Sequence, residues 1–423
     1  MKMRDFSNNR FLDLDLDLHD YENRIIFIST IYFFVLYAIS ISYYLNGFFD
    51  LNNIFFDDDP YASLKAMSHS ITGVPTRNSY THVLLEVISI PINVIYFFVP
   101  LIDIEYIALI ISPLLASLSI VIYYRIVEFF TEPKTAFYIS IIFGGVFCNF
   151  LFGALPTTYI QGGFTILLTL YYFVVSDNKG YSSKAVWFAL AFICGGVTIT
   201  NLCIFGIIYL TYLTRQDSNS YARSLIVATI ITLLALIAII IVYLVYSELF
   251  KDFSFGKEGR LDWILVYTSL DLSDVLYNAK NFLNTFINTV LPTEISFRKV
   301  GSDEVRGLSF NQDNVQWVAV LLLVTTVCSI FYKHEERDQV FNGLIVVSIL
   351  IVIYNFVLHV IFAKEVFLYS QHWISAYLFL LSPLLIKLKH DGLKLIIAMQ
   401  FIINFGFYLY SEAMISIPKL LAA

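Results

Sequence analysis

The chain has 423 residues, of which 58% are hydrophobic and 14% charged, and 26 Lys and Arg against 33 Asp and Glu leave a net charge of −7. A soluble domain carries about 25% charged residues, so a water-soluble globule is excluded, and the acidic balance offers no footprint for a nucleic-acid partner. Apolar runs near the ~20 residues that a bilayer requires recur from residue 25 onward, which predicts an all-α polytopic membrane protein.

Residues 1–24 read as a polar cytoplasmic arm, in which "LDLDLDL" alternates apolar and acidic residues and carries no chemistry. Residues 25–423 read as a single transmembrane domain. The first apolar run, 25–46, has no cleavage pattern behind it and is expected to stay as an anchor. Lys2, Arg4, Arg10 and Arg24 precede it, so the positive-inside rule places the N-terminus in the cytoplasm. The loop 47–105 then lies outside. Within it, 83–101 contains Glu86, Pro91 and Asn93, which suit a segment along the outer interface better than a lipid-facing span. The run 185–213 is read as two short spans broken at "GGVTITN" (195–201), where paired glycines, β-branched residues and Asn interrupt the helix.

With those two readings the chain threads through 106–127, 136–153, 159–176, 185–197, 201–213, 224–247, 314–332, 339–361, 372–386 and 394–411. That gives about 11 spans with the first. A second long outer loop falls at 249–313. The basic clusters Arg125/Lys134, Lys179/Lys184, Arg215/Arg223, Lys333/Arg337 and Lys387/Lys389/Lys394 then share the cytoplasmic side. The four cysteines, Cys148, Cys194, Cys203 and Cys328, have no metal-binding spacing and read as small core residues. The glycine pairs 144–145, 162–163 and 195–196 predict close helix approaches.

The outer side of this thread collects the unusual polar residues. They are "DDDP" (57–60), "TRNSYTHVLLE" (76–86) with Arg77, His82 and Glu86, "GALPTTY" (153–159), "TITN" (198–201) and "KEVFLYSQHW" (364–373) with Lys364, Tyr369 and His372. Carboxylates, imidazoles, an arginine and tyrosines beside a hydrocarbon boundary suit a substrate with a charged head and a lipid tail.

The stretch "DDDPYA" (57–62), directly after the first span, resembles the Asp-acidic-x-x-Tyr-Ala signature of the GT-C fold glycosyltransferases, in the style of protein mannosyltransferases and aminoarabinose transferases. The resemblance implies a GT-C-like bundle whose outer first loop carries juxtamembrane helices. It implies Asp57 as the catalytic aspartate, Asp58 as the acidic residue beside it, and Tyr61 as the motif tyrosine. His82 stands where the family has a His-Pro segment, but no proline follows it here. "GALPTTY" occupies the place of a second outer loop that usually carries an acid, and has Thr157 and Thr158 instead.

Such an enzyme moves a sugar from a polyprenyl-phosphate or pyrophosphate donor to an acceptor hydroxyl. The hydroxyl is a weak nucleophile and needs a carboxylate to take its proton. Asp57 is the candidate base, and the like charges of Asp58 and Asp59 oppose its ionisation. The leaving phosphate needs cationic or hydrogen-bonding partners. Arg77, His82, Tyr369 and His372 are the candidates, with Lys364 or Arg260, Arg298, Lys299 and Arg306 from the long loop as further ones; Asp59, Tyr61 and Glu86 complete the substrate-binding set. No cofactor is certain from these residues. Three carboxylates could hold a divalent cation, although the missing second acid speaks against it.

The expected partners are a polyprenyl-linked sugar, a glycan, lipid or protein acceptor, and membrane lipids. The expected location is a bacterial inner membrane with a periplasmic site. Two other readings stay open. An O-antigen ligase or polymerase would also carry a long outer loop, and a lipid or solute transporter would suit the break at 195–201.

Overall fold

The computed structural model describes residues 20–49, 60–68, 83–216, 220–249, 271–290, 295–299, 306–310, 317–331, 339–361 and 367–422. The chain is an all-α polytopic membrane protein. Helix α1 (Tyr21–Leu45) begins under Asp20, whose carboxylate accepts the Glu22 N–H at 3.2 Å. The helix thus begins four residues before the apolar run at 25. After α1, Gly47 takes a positive φ of 71°, the left-handed conformation that suits glycine. The chain reverses there and buries Phe48 against Tyr43, with ring centroids 4.6 Å apart.

Helix α2 (Pro60–Ser68) opens on a proline, which suits a first helical turn because its missing N–H has no partner there anyway. Helix α3 (Val83–Phe98) has Pro91 in its interior and touches α2, α4 (Ile104–Ala108) and α9 (Lys184–Val197). Segment 83–101 is thus mostly one short helix. Together α4 and α5 (Ile111–Glu128) reach membrane length.

The expected span 136–153 is two helices, α6 (Pro133–Gly145) and α7 (Phe147–Ala154), bent by 60° at Val146. A break in hydrocarbon strands backbone carbonyls. Three side-chain amides take them up: Asn149 Nδ2 donates to the Phe143 carbonyl at 2.6 Å, Gln400 Nε2 to Ile142 at 3.2 Å, and Asn404 Nδ2 to Gly145 at 2.9 Å.

Helix α8 (Thr158–Lys179) ends on Gly180, again at a positive φ, 70°. Next come α9, α10 (Asn201–Gln216) and α11 (Tyr221–Leu249). The stretch expected as an outer loop, 249–313, holds a helix, α12 (Leu272–Val290), and an antiparallel hairpin. In that hairpin β1 (Ile295–Lys299) pairs with β2 (Arg306–Phe310), Ile295 opposite Phe310. Helices α13 (Trp317–Phe331) and α14 (Gln339–Ile361) follow, then one 3-10 turn (Leu368–His372), α15 (Ile374–Leu385) and α16 (His390–Ala422).

Six of the described helices are long and apolar enough to cross a membrane, or seven if α6 and α7 form one bent span. The count of 11 is therefore not reached by length. At 1.5 Å per residue, α9 with 14 residues is about 21 Å long, against a hydrocarbon core of about 30 Å. The break between α9 and α10 falls where the sequence reading put it. It is also sunk into the bundle: the Thr200 carbonyl accepts the Tyr354 hydroxyl at 3.1 Å, two turns before the end of α14.

The core lies along α5, α8 and α15, where Tyr123 is stacked between Phe143 and Phe379 at 4.3 and 4.6 Å. Helices α11 and α16 border the bundle and expose Ile230, Ile237, Phe401 and Ile402, as lipid contact requires. Gly144, Gly145, Gly162, Gly163 and Gly195 are close approaches, as expected: a Cβ on Gly145 would lie 2.6 Å from Gln400 Oε1. Cys148 and Cys194 are buried, but Cys203 and Cys328 are exposed on their helices rather than in the core.

Cross-helix contacts fix which helix ends lie together. At the end where α1 begins, here the proximal end, Arg125 pairs with Glu22 at 2.9 Å and His390 with Glu132 at 3.1 Å. Arg215 pairs there with Asp177 at 2.8 Å and also donates to the Gln339 carbonyl at 2.7 Å. Gly343 makes room for that guanidinium on α14. Lys134, Lys179, Lys184, Arg223 and Lys394 occupy helix ends on the same side. At the distal end Ser42 and Asn46 both donate to Glu412, at 2.6 and 2.8 Å, and Lys65 pairs with Glu105 at 3.2 Å.

Arg215 thus ties α8, α10 and α14 together over a nearly buried carboxylate. Arg215→Gln should lower stability by about 1–3 kcal/mol, the cost of leaving such a group short of a partner. The check is the melting temperature in detergent, and an unchanged value would show that the pair contributes nothing.

Candidate functional site

Four chain segments meet near the distal end around the start of α8. Gly162 and Gly163, one turn into α8, let the 3-10 turn and the start of α10 come close. A Cβ on Gly162 would lie 2.6 Å from His372 Nε2 and 3.1 Å from Asn201 Nδ2; one on Gly163 would lie 2.8 Å from the Gln371 carbonyl. Glycine is therefore required at both positions by space, not by backbone conformation. Asn201 reaches this point because α9 and α10 stop short in their sunken turn.

The fourth segment is the end of α14. His359 lies between the rings of Tyr369 and Phe282, with centroids 4.9 and 6.2 Å away. Tyr369 in turn meets His372 edge-on at 5.4 Å and Tyr159 at 5.5 Å. Helix α12 covers this arrangement. Phe286 stacks on Trp373 at 4.9 Å and meets Tyr377 at 4.1 Å, while Asn278 Nδ2 donates to the Val360 carbonyl at 3.0 Å. Trp373, Tyr377 and His359 are all buried beneath it.

The cluster is polar but carries no fixed charge. Gln161, Asn201, Asn355, His359 and Gln371 are each at most 2% exposed. Asn201 Nδ2 and Oδ1, Gln161 Oε1, Gln371 Nε2, Asn355 Oδ1 and both His359 ring nitrogens have no hydrogen-bond partner among the described residues. Native interiors leave few such atoms, and those of Asn201 and Gln371 belong to side chains packed against the two glycines of α8, which makes this the candidate site.

Helix α12 starts from Asp271, whose carboxylate accepts both the Ser273 N–H and its hydroxyl at 3.0 Å. The backbone bond first, and the hydroxyl second, hold this exposed carboxyl below its ordinary value. Its contribution to α12 is therefore present above the ordinary carboxylate range and is lost as pH falls through the lowered value.

Of the residues singled out in the sequence, Tyr369 and His372 lie in this cluster and touch each other. Tyr61 is on α2 and Glu86 on α3; their side chains, like Asp57, Asp58, Asp59, Arg77, His82, Lys364 and Arg260 entirely, lie outside the described residues. Arg298, Lys299 and Arg306 belong to the hairpin, with Lys299 opposite Arg306. The sequence reading missed His359, Asn355, Gln161 and Gln371. A signal for the first existed, since an ionisable residue inside the apolar run of α14 is a functional candidate by default, and Asn355 stands four residues before it on the same helix face. Among the described residues no three of His, Cys, Asp and Glu gather as a metal site.

Fold and site together define a polytopic helical membrane protein with a buried, uncharged polar cluster at one end of its bundle. No protein-family model matches the chain, and the search of curated proteins finds no match.

Gly162→Ala should cost about 1–3 kcal/mol through overpacking against the His372 ring. Combining it with His372→Ala should recover at least half of that loss. Melting temperatures of the two single variants and the double variant form the cycle; strictly additive losses would contradict the close contact.

Proposed function

We propose that this protein is a membrane glycosyltransferase that moves a sugar from a polyprenyl-phosphate or pyrophosphate donor to an acceptor hydroxyl, in the manner of the GT-C enzymes its "DDDPYA" stretch resembles. One observation carries the reading. Helix α2 follows directly on Asp57–Asp59, and its Met67 sulfur lies 3.6 Å from Gln161 Nε2, next to Gly162 and the His372 ring. The segment after the acidic triplet and the buried cluster are therefore neighbours in the fold.

In this reading Asp57 takes the proton of the acceptor hydroxyl as its oxygen attacks the anomeric carbon. The bond from that carbon to the phosphate oxygen breaks, and the lipid phosphate leaves with the electron pair. Arg77 and His82 supply positive charge to the leaving group, Asp58 keeps Asp57 basic, and Tyr369 and His372 border the bound substrate. The basic helix ends at the proximal side support a cytoplasmic N-terminus by the positive-inside rule. The cluster then lies toward the periplasmic side of a bacterial inner membrane.

The test is donor consumption. Wild type and Asp57→Asn, purified in detergent, receive a pool of radiolabelled polyprenyl-phosphate sugars from bacterial membranes together with their acceptors. Removal of a general base costs about 10²–10⁴-fold, so consumption by the variant should fall at least a hundredfold with its melting temperature unchanged. Equal consumption would make the acidic triplet a surface turn and end this assignment. A transporter is the second reading, favoured by the sunken break at 198–200. It predicts flux into proteoliposomes with no loss of sugar from the lipid.

A further inference from the structure

The hairpin between α12 and α13 has two faces of opposite character. Residues alternate between the faces of a pleated strand, and the register pairs Ile295 with Phe310, Phe297 with Leu308 and Lys299 with Arg306. These three rungs share one face. The other face holds Ser296 opposite Ser309 and Arg298 opposite Gly307. Two apolar rungs and a cationic rung at the turn end thus form one stripe, and neither strand contains an acid.

Such a stripe needs cover. A lone two-stranded hairpin is marginal in water, and like charges directly opposite each other weaken its pairing further. Neither strand packs along any described helix. A second copy does not fit: stacked face to face, two ribbons would set the cationic rung on another cationic rung or on Ile295 and Phe310. A bilayer surface meets both needs, since it offers acyl chains to the apolar rungs and lipid phosphate to the cationic one. The ribbon is tethered near that level. Residues 291–294 join it to α12, which covers the distal end, and residues 311–316 join it to the apolar helix α13, so its base stays within about 25 Å of both. It lies flat rather than inserted, because the sheet has two strands among the described residues, and hydrocarbon does not tolerate the unpaired backbone of their outer edges.

We propose that this hairpin is a lipid-binding element. The face with Ile295, Phe297, Leu308 and Phe310 rests on the distal leaflet, and Lys299 and Arg306 bind the phosphate of an anionic phospholipid there. Those two cations, candidates for the leaving phosphate in the sequence, thereby go to the bilayer instead. Arg298, on the opposite face, takes no part. The assignment is independent of the reaction that the protein carries out.

The test uses the full-length protein in nanodiscs of phosphatidylcholine with a minor share of phosphatidylglycerol. The photo-reactive residue p-benzoylphenylalanine replaces Phe297 in one variant, Leu308 in a second and Ser309 in a third, and mass spectrometry identifies what each captures. The probe should capture phospholipid at 297 and 308 but not at 309. Phosphatidylglycerol should exceed its share of the disc among the adducts by about fivefold, the factor that one basic residue adds near an anionic surface. Lys299→Gln combined with Arg306→Gln should return the adducts to the disc composition, whereas Arg298→Gln should leave the enrichment unchanged.

Capture of a helix by the probe at 297 or 308 would put this face against the bundle, and no capture would put it in water; either result overturns the proposal. So would equal lipid capture at 309, or adducts that match the disc composition while both cations are present. A loss with Arg298→Gln as large as with the pair would reduce the effect to net charge and overturn it too. If the paired variant captures no lipid at all, the single variants Lys299→Gln and Arg306→Gln decide: each should lower the enrichment, and an enrichment that survives both refutes the site.

Discussion

A polar group inside a bilayer has no water to fall back on, so each one must find a partner within the protein. Much of this structure follows from where that demand is met and where it is not. At the bend in the α6–α7 pair, three carbonyls lose their helical donors, and Asn149, Gln400 and Asn404 replace them. At the α9–α10 break the Tyr354 hydroxyl serves the Thr200 carbonyl. Around Gly162 the same residue types are buried and only partly met: Gln161 Nε2 reaches the Met67 sulfur at 3.6 Å and Asn355 Nδ2 the Ile351 carbonyl at 2.9 Å, while their amide oxygens, like that of Gln400 at the bend, find no partner among the described residues.

The two glycines at 162–163 and the short helices α9 and α10 are what bring that cluster together. A full-length α9 would carry Thr198 and Asn201 up to the membrane surface, where water would solvate them. Stopping early keeps Asn201 fully buried beside His372. Helix α12 then closes the remaining side with Phe282 and Phe286. Local helix lengths, rather than any single side chain, decide that this polar group is shielded from bulk water.

The bundle was largely legible in the sequence because lipid imposes a simple rule on helix length and composition. The span at 339–361 was read to the residue, and the break at 195–201 announced itself through Gly195, Gly196 and Asn201. The bend at Val146 was not read, since Gly144 and Gly145 looked like packing glycines and no proline marks the spot. Helix α12 was hidden for a different reason: "LSDVLYNAKNFLNTFINTV" is polar on one face, and a search for uniformly apolar runs passes over it, although Phe282 and Phe286 share a face at helical spacing. For the site, Tyr369 and His372 were picked out by their place beside a helix end. His359 is masked in the sequence by the high hydropathy of the run around it. That Gly162 meets His372 and Asn201 depends on how distant helices dock, which no local pattern encodes.

The distal contact between α1 and α16 has a consequence for how the chain is made. Ser42 and Glu412 are 370 residues apart in sequence, yet they share a hydrogen bond, and Tyr43 joins Ser411 at 3.0 Å. At about 5–20 residues per second, the ribosome delivers Glu412 tens of seconds after Ser42 has entered the membrane. Helix α1 packs chiefly on α5, which follows it early in the chain, but its distal end is clasped by α16 only once that last described helix has entered the membrane.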